Sequence, residues 1–204
     1  MSEHRSEQLG VQYEAVAAAI RDRRTIKQFV DRPVAPELIS ALLDLAVWAP
    51  NHKLTEPWRF YVITGAARIR MSELARTLRF KKLSASGAEE AVAARKADEF
   101  AAEWARVPAI IYVTQVVGPD PFVDREDYGA VCCAVQNIML GAQAVGLASF
   151  WGTGDLAAAP ALADLVGAHT NERMVALLRL GYADPAAKPP VKRTAVNQFT
   201  RWMT

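Results

Sequence analysis

The chain has 204 residues, 51% of them hydrophobic and 23% charged, with a formal net charge of +2. That length makes one globular unit the default, and the composition is that of a packed soluble protein. The charge is too small to argue for a nucleic-acid or membrane partner, and no apolar run nears the ~18 residues of a membrane span. The polar start MSEHRSEQLG has no apolar signal segment. Cys132 and Cys133 are neighbours in sequence and rarely bridge in that arrangement, so reduced thiols and a cytoplasmic location are expected. His4, His52 and His169 lie far apart, and no Cys/His spacing suits zinc.

In chain order, VQYEAVAAAIRDRR (11–24) spaces its apolar residues for a helix. TIKQFVDRPV follows as an extended turn closed by Pro33. PELISALLDLAVWA predicts a second helix, with Pro36 in its first turn and Pro50 just past its end. WRFYVIT (58–64) is strand-like. Two helices come next, AARIRMSELARTL and SGAEEAVAARKADEFAAEWARV. The linker RFKKLSASG lies between them, and Ser86 with Glu89 predicts a capping box for the second. PAIIYVTQVV (108–117) is an almost unbroken apolar strand, which implies burial on both faces. DREDYGAVCCAVQNIMLGAQAVG (124–146) is the longest helix, apolar nearly all round and so central, with Asp124 as its expected N-cap. LASFWGT and RMVALLRLGYA (173–183) are strands, separated by short helical turns in DLAAAPALADLVGA. The tail turns proline-rich, then basic, then aromatic. Helices, strand, helices, strand, helix, strand, strand predict an α+β sandwich rather than a regular βαβ alternation.

Several stretches could carry chemistry. GTGDLA (152–157) matches G-x-G-x-x-A after a strand. It could be a dinucleotide fingerprint, a glycine turn with Asp155 as helix N-cap, or a place where backbone approaches a flat ligand closely. Arg23, Arg24 and Lys27 cluster at the end of the first helix. They suit the helix C-terminus or, with the Thr25 hydroxyl and Phe29, a phosphorylated cofactor gripped by arginine forks. KPPVKR is a second basic cluster, and Phe199 and Trp202 beyond it suggest a docked tail. The two cysteines read as inert, buried small residues, and His52 alone reads as structural. No nucleophile motif or carboxylate pair supports hydrolysis.

Four segments resemble, in order, the FMN-dependent nitroreductase family: RRTIKQF, APNHKLTEPWRFYVI, DYGAVCCAVQNIMLGAQAVGLASFWGTG and VALLRLGYADPAAKPPVKR. The likeness runs from about residue 13 to 202 and is similar to a compact NAD(P)H-using subgroup. It implies a central antiparallel sheet wrapped by helices in one domain over residues 1–204, and an intertwined homodimer with exchanged C-terminal tails. Two FMN molecules would lie at the dimer interface. By position, Arg23, Arg24 and Thr25 would contact the FMN phosphate and ribityl chain, and Lys27 the N1/O2 edge of the ring. Trp151, Gly152 and Thr153 would approach from the same subunit; Pro50, Asn51 and His52, with Trp48, from the partner. Arg193, backed by Lys192, would be a second phosphate ligand. NADH or NADPH would donate electrons, and a small flat acceptor such as a nitroaromatic or quinone would take them in a ping-pong cycle. Lys27 has a physical role here: reduction places negative charge at N1 and O2, and a fixed cation stabilises it. The segment 66–106 would cover the site, with Phe80, Phe100 or Trp104 as candidates to stack on a substrate. Leu54 and Glu56 stand where many members have Asn and Gln.

Overall fold

A computed structural model describes residues 3–184 and 191–203. The apolar run predicted as a doubly buried strand is β2 (Ala109–Val116), buried along nearly its whole length. It pairs antiparallel with β1 (Trp58–Ile63) on one side and β4 (Glu172–Gly181) on the other, and β3 (Ala148–Gly152) pairs antiparallel with β4. The order is β1-β2-β4-β3. Alternation along the strands makes two cores. Ile111, Val113, Leu178 and Leu180 face one, while Ile110, Tyr112 and Leu177 face the other.

The first core is closed by α2 (Pro36–Ala46) and α5 (Pro121–Ala144). Ile39, Leu42 and Ala46 meet Val131, Val135, Ile138 and Ala142 there. The two helices approach at Gly141, where a Cβ would lie 2.8 Å from Leu45 Cδ1 and 2.9 Å from Leu42 Cδ2. The second core lies under α3 (Gly65–Ala85), α4 (Glu90–Ala105), α6 (Asp155–Ala158) and α7 (Pro160–Val166). α3 and α4 pack as a hairpin that buries the small faces Ala75, Ala93 and Ala97. α1 (Glu3–Asp22) is broken at Gly10, whose φ of 69° no side chain adopts cheaply. Among the described residues no helix is long and apolar enough to cross a membrane. The α+β reading holds: an antiparallel sheet wrapped by helices.

Three boundaries differ from expectation. Most of the stretch read as the linker RFKKLSASG is the end of α3, so Ser86 is the C-cap of that helix. The expected Ser86–Glu89 capping box is absent, and Glu89 itself is the N-cap of α4 without a side-chain bond. α5 starts one turn before Asp124. Asp120 is its N-cap, accepting from Phe122 N at 2.9 Å, with Pro121 at the first helical position. Asp124 instead accepts from Gln115 Nε2 and pairs with Arg173, both at 2.8 Å.

At the start of β4, Glu172 accepts from Tyr61 Oη at 2.8 Å, from Thr114 Oγ1 and from His169 N at 3.2 Å. Burial pushes its carboxyl up, but the hydrogen bonds from Thr114, Tyr61 and His169 outweigh it and the net lies below the ordinary value of 4.5. The Tyr61 phenol is pushed up to about 12 by burial and by Glu172. A carboxyl depressed in the fold contributes stability above its unfolded value and loses it as pH falls through the folded one. A phenol raised in the fold contributes fully below its unfolded value of 10.0 and loses that contribution as pH rises toward 12. Glu172→Gln is therefore expected to cost about 1–2 kcal/mol at pH 7. Urea melts should show the gap between variant and wild type closing below pH ~4; a gap independent of pH would exclude this account.

Candidate functional site

The residues after α1 run extended between two strand ends. Thr25 bridges Ser149 in parallel, with Ile26 N donating to Ser149 O at 3.1 Å. Phe29 bridges Ala183, and Val30 N donates to Tyr182 O at 3.0 Å. Buried Ile26 anchors the segment and leaves Thr25 and Lys27 exposed on either side of it. A cation-rich edge is thereby laid along β3, the strand that ends in Trp151 and Gly152.

The cluster is not uniform. The Arg24 guanidinium bends back onto the carbonyl oxygens of Arg21 and, at 2.9 Å, Arg23, which is the helix-end role weighed for it. Arg23 is half-buried, and neither it nor Lys27 forms an ion pair among the described residues. Lys27 Nζ lies 5.7 Å from the Phe150 ring centre and lines a cleft with Glu99, Glu103, Arg106 and Asp184. Trp151, Gly152 and Thr153 line a different cavity of about 420 Å³, between the end of β3 and the α3–α4 hairpin. Phe150 borders that cavity and contacts Lys27, so the two spaces adjoin at its ring.

Trp151 is fixed by Nε1 donating to Val175 O at 3.2 Å. A Cβ on Gly152 would lie 2.9 Å from Phe150 Cε1, whereas one on Gly154 would meet open space. The G-x-G-x-x-A match is not a dinucleotide fingerprint, because β3 and β4 are antiparallel and no βαβ unit exists there. Asp155 is not the N-cap either. It opens α6 behind Gly154, and its carboxylate pairs with Lys82 of α3, which holds it below the usual carboxylate range.

The turn 48–56 lines neither space within the one chain. Trp48 is 79% exposed and Pro50 is also exposed. Asn51 shapes the turn from inside: Oδ1 accepts from Glu56 N at 2.8 Å and Nδ2 donates to Thr55 Oγ1 at 2.9 Å. Thr55 Oγ1 donates a hydrogen bond to Asp127 Oδ1 of α5 at 2.5 Å, and His52 Nδ1 contacts Glu126 at 2.5 Å. Lys53, Leu54 and Glu56 all have left-handed φ, at 57°, 53° and 45°. The two atypical positions thus sit in the strained half of the turn, and Leu54 is 81% exposed. Lys192 and Arg193 are exposed, while the KPP of KPPVKR lies outside the described residues.

Of the three aromatic candidates, Phe100 and Trp104 line the 420 Å³ cavity and Phe80 does not. Sequence reasoning missed Arg179, which lines the same cavity, and Asp127, which pins the turn. A lone cation inside the apolar run VALLRLG was the available signal for Arg179. The cysteines are not both buried as expected: Cys132 is half-buried and Cys133 exposed. Burial pushes the Cys132 thiol up against the opposing hydrogen bond from Tyr128, so it is not an activated thiolate.

The sequence model of a family described as Nitroreductase family matches residues 20–182. The chain belongs to the nitroreductase family. It is an oxidoreductase on that ground. Among relatives of this nitroreductase is YfhC of Bacillus subtilis (strain 168), which bears the name of an NAD(P)H nitroreductase. It is 31% identical over 93% of this chain and 95% of its own. A nitroreductase-like family protein of Bacillus cereus superposes with a TM-score of 0.78 at 29% identity, covering 92% of this chain and 95% of its own. The FMN-dependent nitroreductase NfnB of Mycobacterium smegmatis, solved with NADPH, also gives 0.78, covering 95% and 100%; at 20% identity it speaks for the fold alone.

Proposed function

We propose that this nitroreductase is an FMN-dependent NAD(P)H oxidoreductase that passes electrons to nitroaromatics, quinones or similar flat acceptors. The observation that supports this most is the cationic edge at residues 23–27, hydrogen-bonded along β3 beside Trp151, Gly152 and Thr153. The donor set fits FMN. Arg23 and the Thr25 hydroxyl suit its phosphate, Lys27 suits the N1/O2 edge, and the open backbone after Gly152 suits a flat ring. Bound FMN supplies the two-electron chemistry; the protein supplies position and electrostatics.

In this reading Arg23 and Thr25 hold the phosphate and ribityl chain, joined by Arg24 if its guanidinium leaves the Arg21 and Arg23 carbonyls, with Arg193 and Lys192 as second phosphate ligands. Lys27 places its charge where reduction builds negative charge. Trp48, Pro50, Asn51 and His52 close the site from the partner of a homodimer. The surface agrees with such a dimer: Val11, Val16, Ile20, Leu45, Val47 and Trp48 are exposed apolar side chains, and so are Phe199 and Trp202 of the tail. The whole chain then acts as one domain in the cytoplasm. NADH or NADPH and the acceptor would use the same open ring face in turn, hence ping-pong kinetics.

Anaerobic mixing of the purified yellow protein with each nicotinamide, followed by an acceptor screen, is the direct test. Bleaching by either and re-oxidation by nitroaromatics or quinones is expected. Colourless protein that does not take up FMN would end this reading, and a yellow protein that no nicotinamide bleaches would leave a flavin carrier without turnover. Arg23→Ala is expected to weaken FMN retention by ~1.5–3 kcal/mol, the worth of a charge-assisted hydrogen bond. Equal retention at dilute protein would return Arg23 to a helix-end role.

A further inference from the structure

Lys27 shares its cleft with acids, yet it forms no ion pair among the described residues. Two of those acids, Glu99 and Glu103, rise from α4. Both are taken by other cations. Arg95 of the same helix holds Glu99 at 2.7 Å, and Arg179 of β4 holds Glu103 at 2.5 Å. Asp184, the third acid of the cleft, is engaged as well. The Lys27 ammonium rests instead 5.7 Å from the Phe150 ring centre. A flexible ammonium among carboxylates is drawn to pair with one, so its freedom has a cause in the residues around it.

Arg179 is that cause. It is 6% exposed in a strand otherwise rich in leucine, where a guanidinium is costly unless it is paired. Its guanidinium lies 3.8 Å from the Trp104 ring centre and 4.9 Å from that of Phe150. Phe150 of β3 is also its register partner across the sheet. The Phe150 ring in turn packs on the backbone of Gly152, where a Cβ would lie 2.9 Å from Cε1. Glu103, by contrast, is half-exposed, so its carboxylate could swing to another cation if Arg179 let it go. One fixed, buried side chain therefore holds both the ring beneath Lys27 and an acid that shares its cleft.

We propose that Arg179 is a positioning residue for Lys27. By occupying Glu103 and seating the Phe150 ring, it leaves the Lys27 charge available to reduced flavin. This rests on the FMN reading above, which gives Lys27 its place at the N1/O2 edge. A carboxylate paired with Lys27 would cancel the field that stabilises the negative charge of reduction. Arg106 is the rival: it is an exposed cation of the same cleft. A released Glu103 that turned to Arg106 would leave Lys27 as it was, and that outcome counts against the proposal.

The test is the two-electron potential of FMN-loaded protein by spectroelectrochemistry, with the Kd of oxidised FMN measured alongside. Arg179→Met is expected to weaken reduced FMN about tenfold relative to oxidised FMN, a fall of about 30 mV. The variant strands no buried charge, because Glu103 is half-exposed. Adding Glu103→Gln to it should restore the potential, and Arg179→Lys, which keeps a cation for Glu103, should stay near wild type. In a Lys27→Ala background Arg179→Met should change the potential little, because its effect passes through Lys27. Should Arg179→Met not fold, Phe150→Leu tests the other arm: the potential should fall in the wild-type background and not in Lys27→Ala. An unchanged potential in Arg179→Met, or no recovery on adding Glu103→Gln, overturns the proposal. So does an equal fall with and without Lys27, which would be the direct field of a lost charge. Protein that takes up no FMN sinks the flavin reading and this proposal with it. A yellow protein whose potential follows Lys27 but neither Arg179 nor Phe150 sinks this proposal alone.

Discussion

Removal of residues 196–204 is expected to convert the proposed dimer into monomers that shed FMN. The tail after the short turn Val196–Gln198 is locally ordered, with Thr200 Oγ1 donating to Val196 O at 2.9 Å. Yet its apolar side chains lie uncovered: Phe199 is 78% exposed, Trp202 88% and Met203 96%. Burying a large apolar side chain contributes about 1.5–3 kcal/mol. Phe199 and Trp202 together would then contribute roughly 3–6 kcal/mol per tail, and the two tails of a dimer about four to nine decades in its dissociation constant. Sedimentation velocity over a dilution series would read this, with flavin absorbance followed in the same cells. Both should fall together if, as proposed, Pro50, Asn51 and His52 of the second subunit complete the site. A truncated protein that stays dimeric and yellow at nanomolar concentration would remove the tail from the account.

Lys27→Ala is expected to lower the two-electron reduction potential of the flavin and to slow its reduction by NAD(P)H. The ammonium has no acid partner among the described ion pairs and rests 5.7 Å from the Phe150 ring centre, so its charge is available to a ligand. If it makes one charge-assisted bond to the reduced ring, worth ~1.5–3 kcal/mol, the potential should drop by about 30–65 mV. Lys27→Arg should recover most of it, since the charge is kept. Spectroelectrochemistry measures the potential directly, and stopped-flow bleaching the rate. An unchanged potential with normal FMN content would remove Lys27 from the chemistry.

What the sequence revealed, it revealed where one physical demand dominates. The run AIIYV has to be buried on both faces, and it became the centre of the sheet. Pro33, Pro36 and Pro57 punctuate the chain as a proline must. Boundaries were lost where two local signals compete. Ser86 and Glu89 have capping-box spacing, but packing against α4 carries α3 through Lys82 to Ala85, which makes Ser86 an end rather than a beginning. Asp120 and Asp124 are equal as N-caps by residue type, and only Pro121 between them decides for the earlier one. The cationic edge at 23–27 was legible as a cluster; that it lies along β3 was not, because the Thr25–Ser149 bridge spans most of the chain. Arg179 and Trp104 were beyond reach for the same reason. Their meeting depends on how α4 settles over β4.

The turn after Asn51 has a consequence for the order of assembly. Lys53, Leu54 and Glu56 hold left-handed backbone conformations, each costing an ordinary residue roughly 1–2 kcal/mol. An isolated segment would not keep that shape. It is imposed by Asn51 from within and by Asp127 and Glu126 from a helix that lies 72 and 74 residues further on. The surface that the proposed dimer would offer to its second subunit therefore comes into being only once α5 has docked. Refolding should accordingly begin with a phase indifferent to protein concentration and end with one that is second order in it. A chain caught before α5 docks would have no correct face to present, and so little chance of pairing in the wrong way.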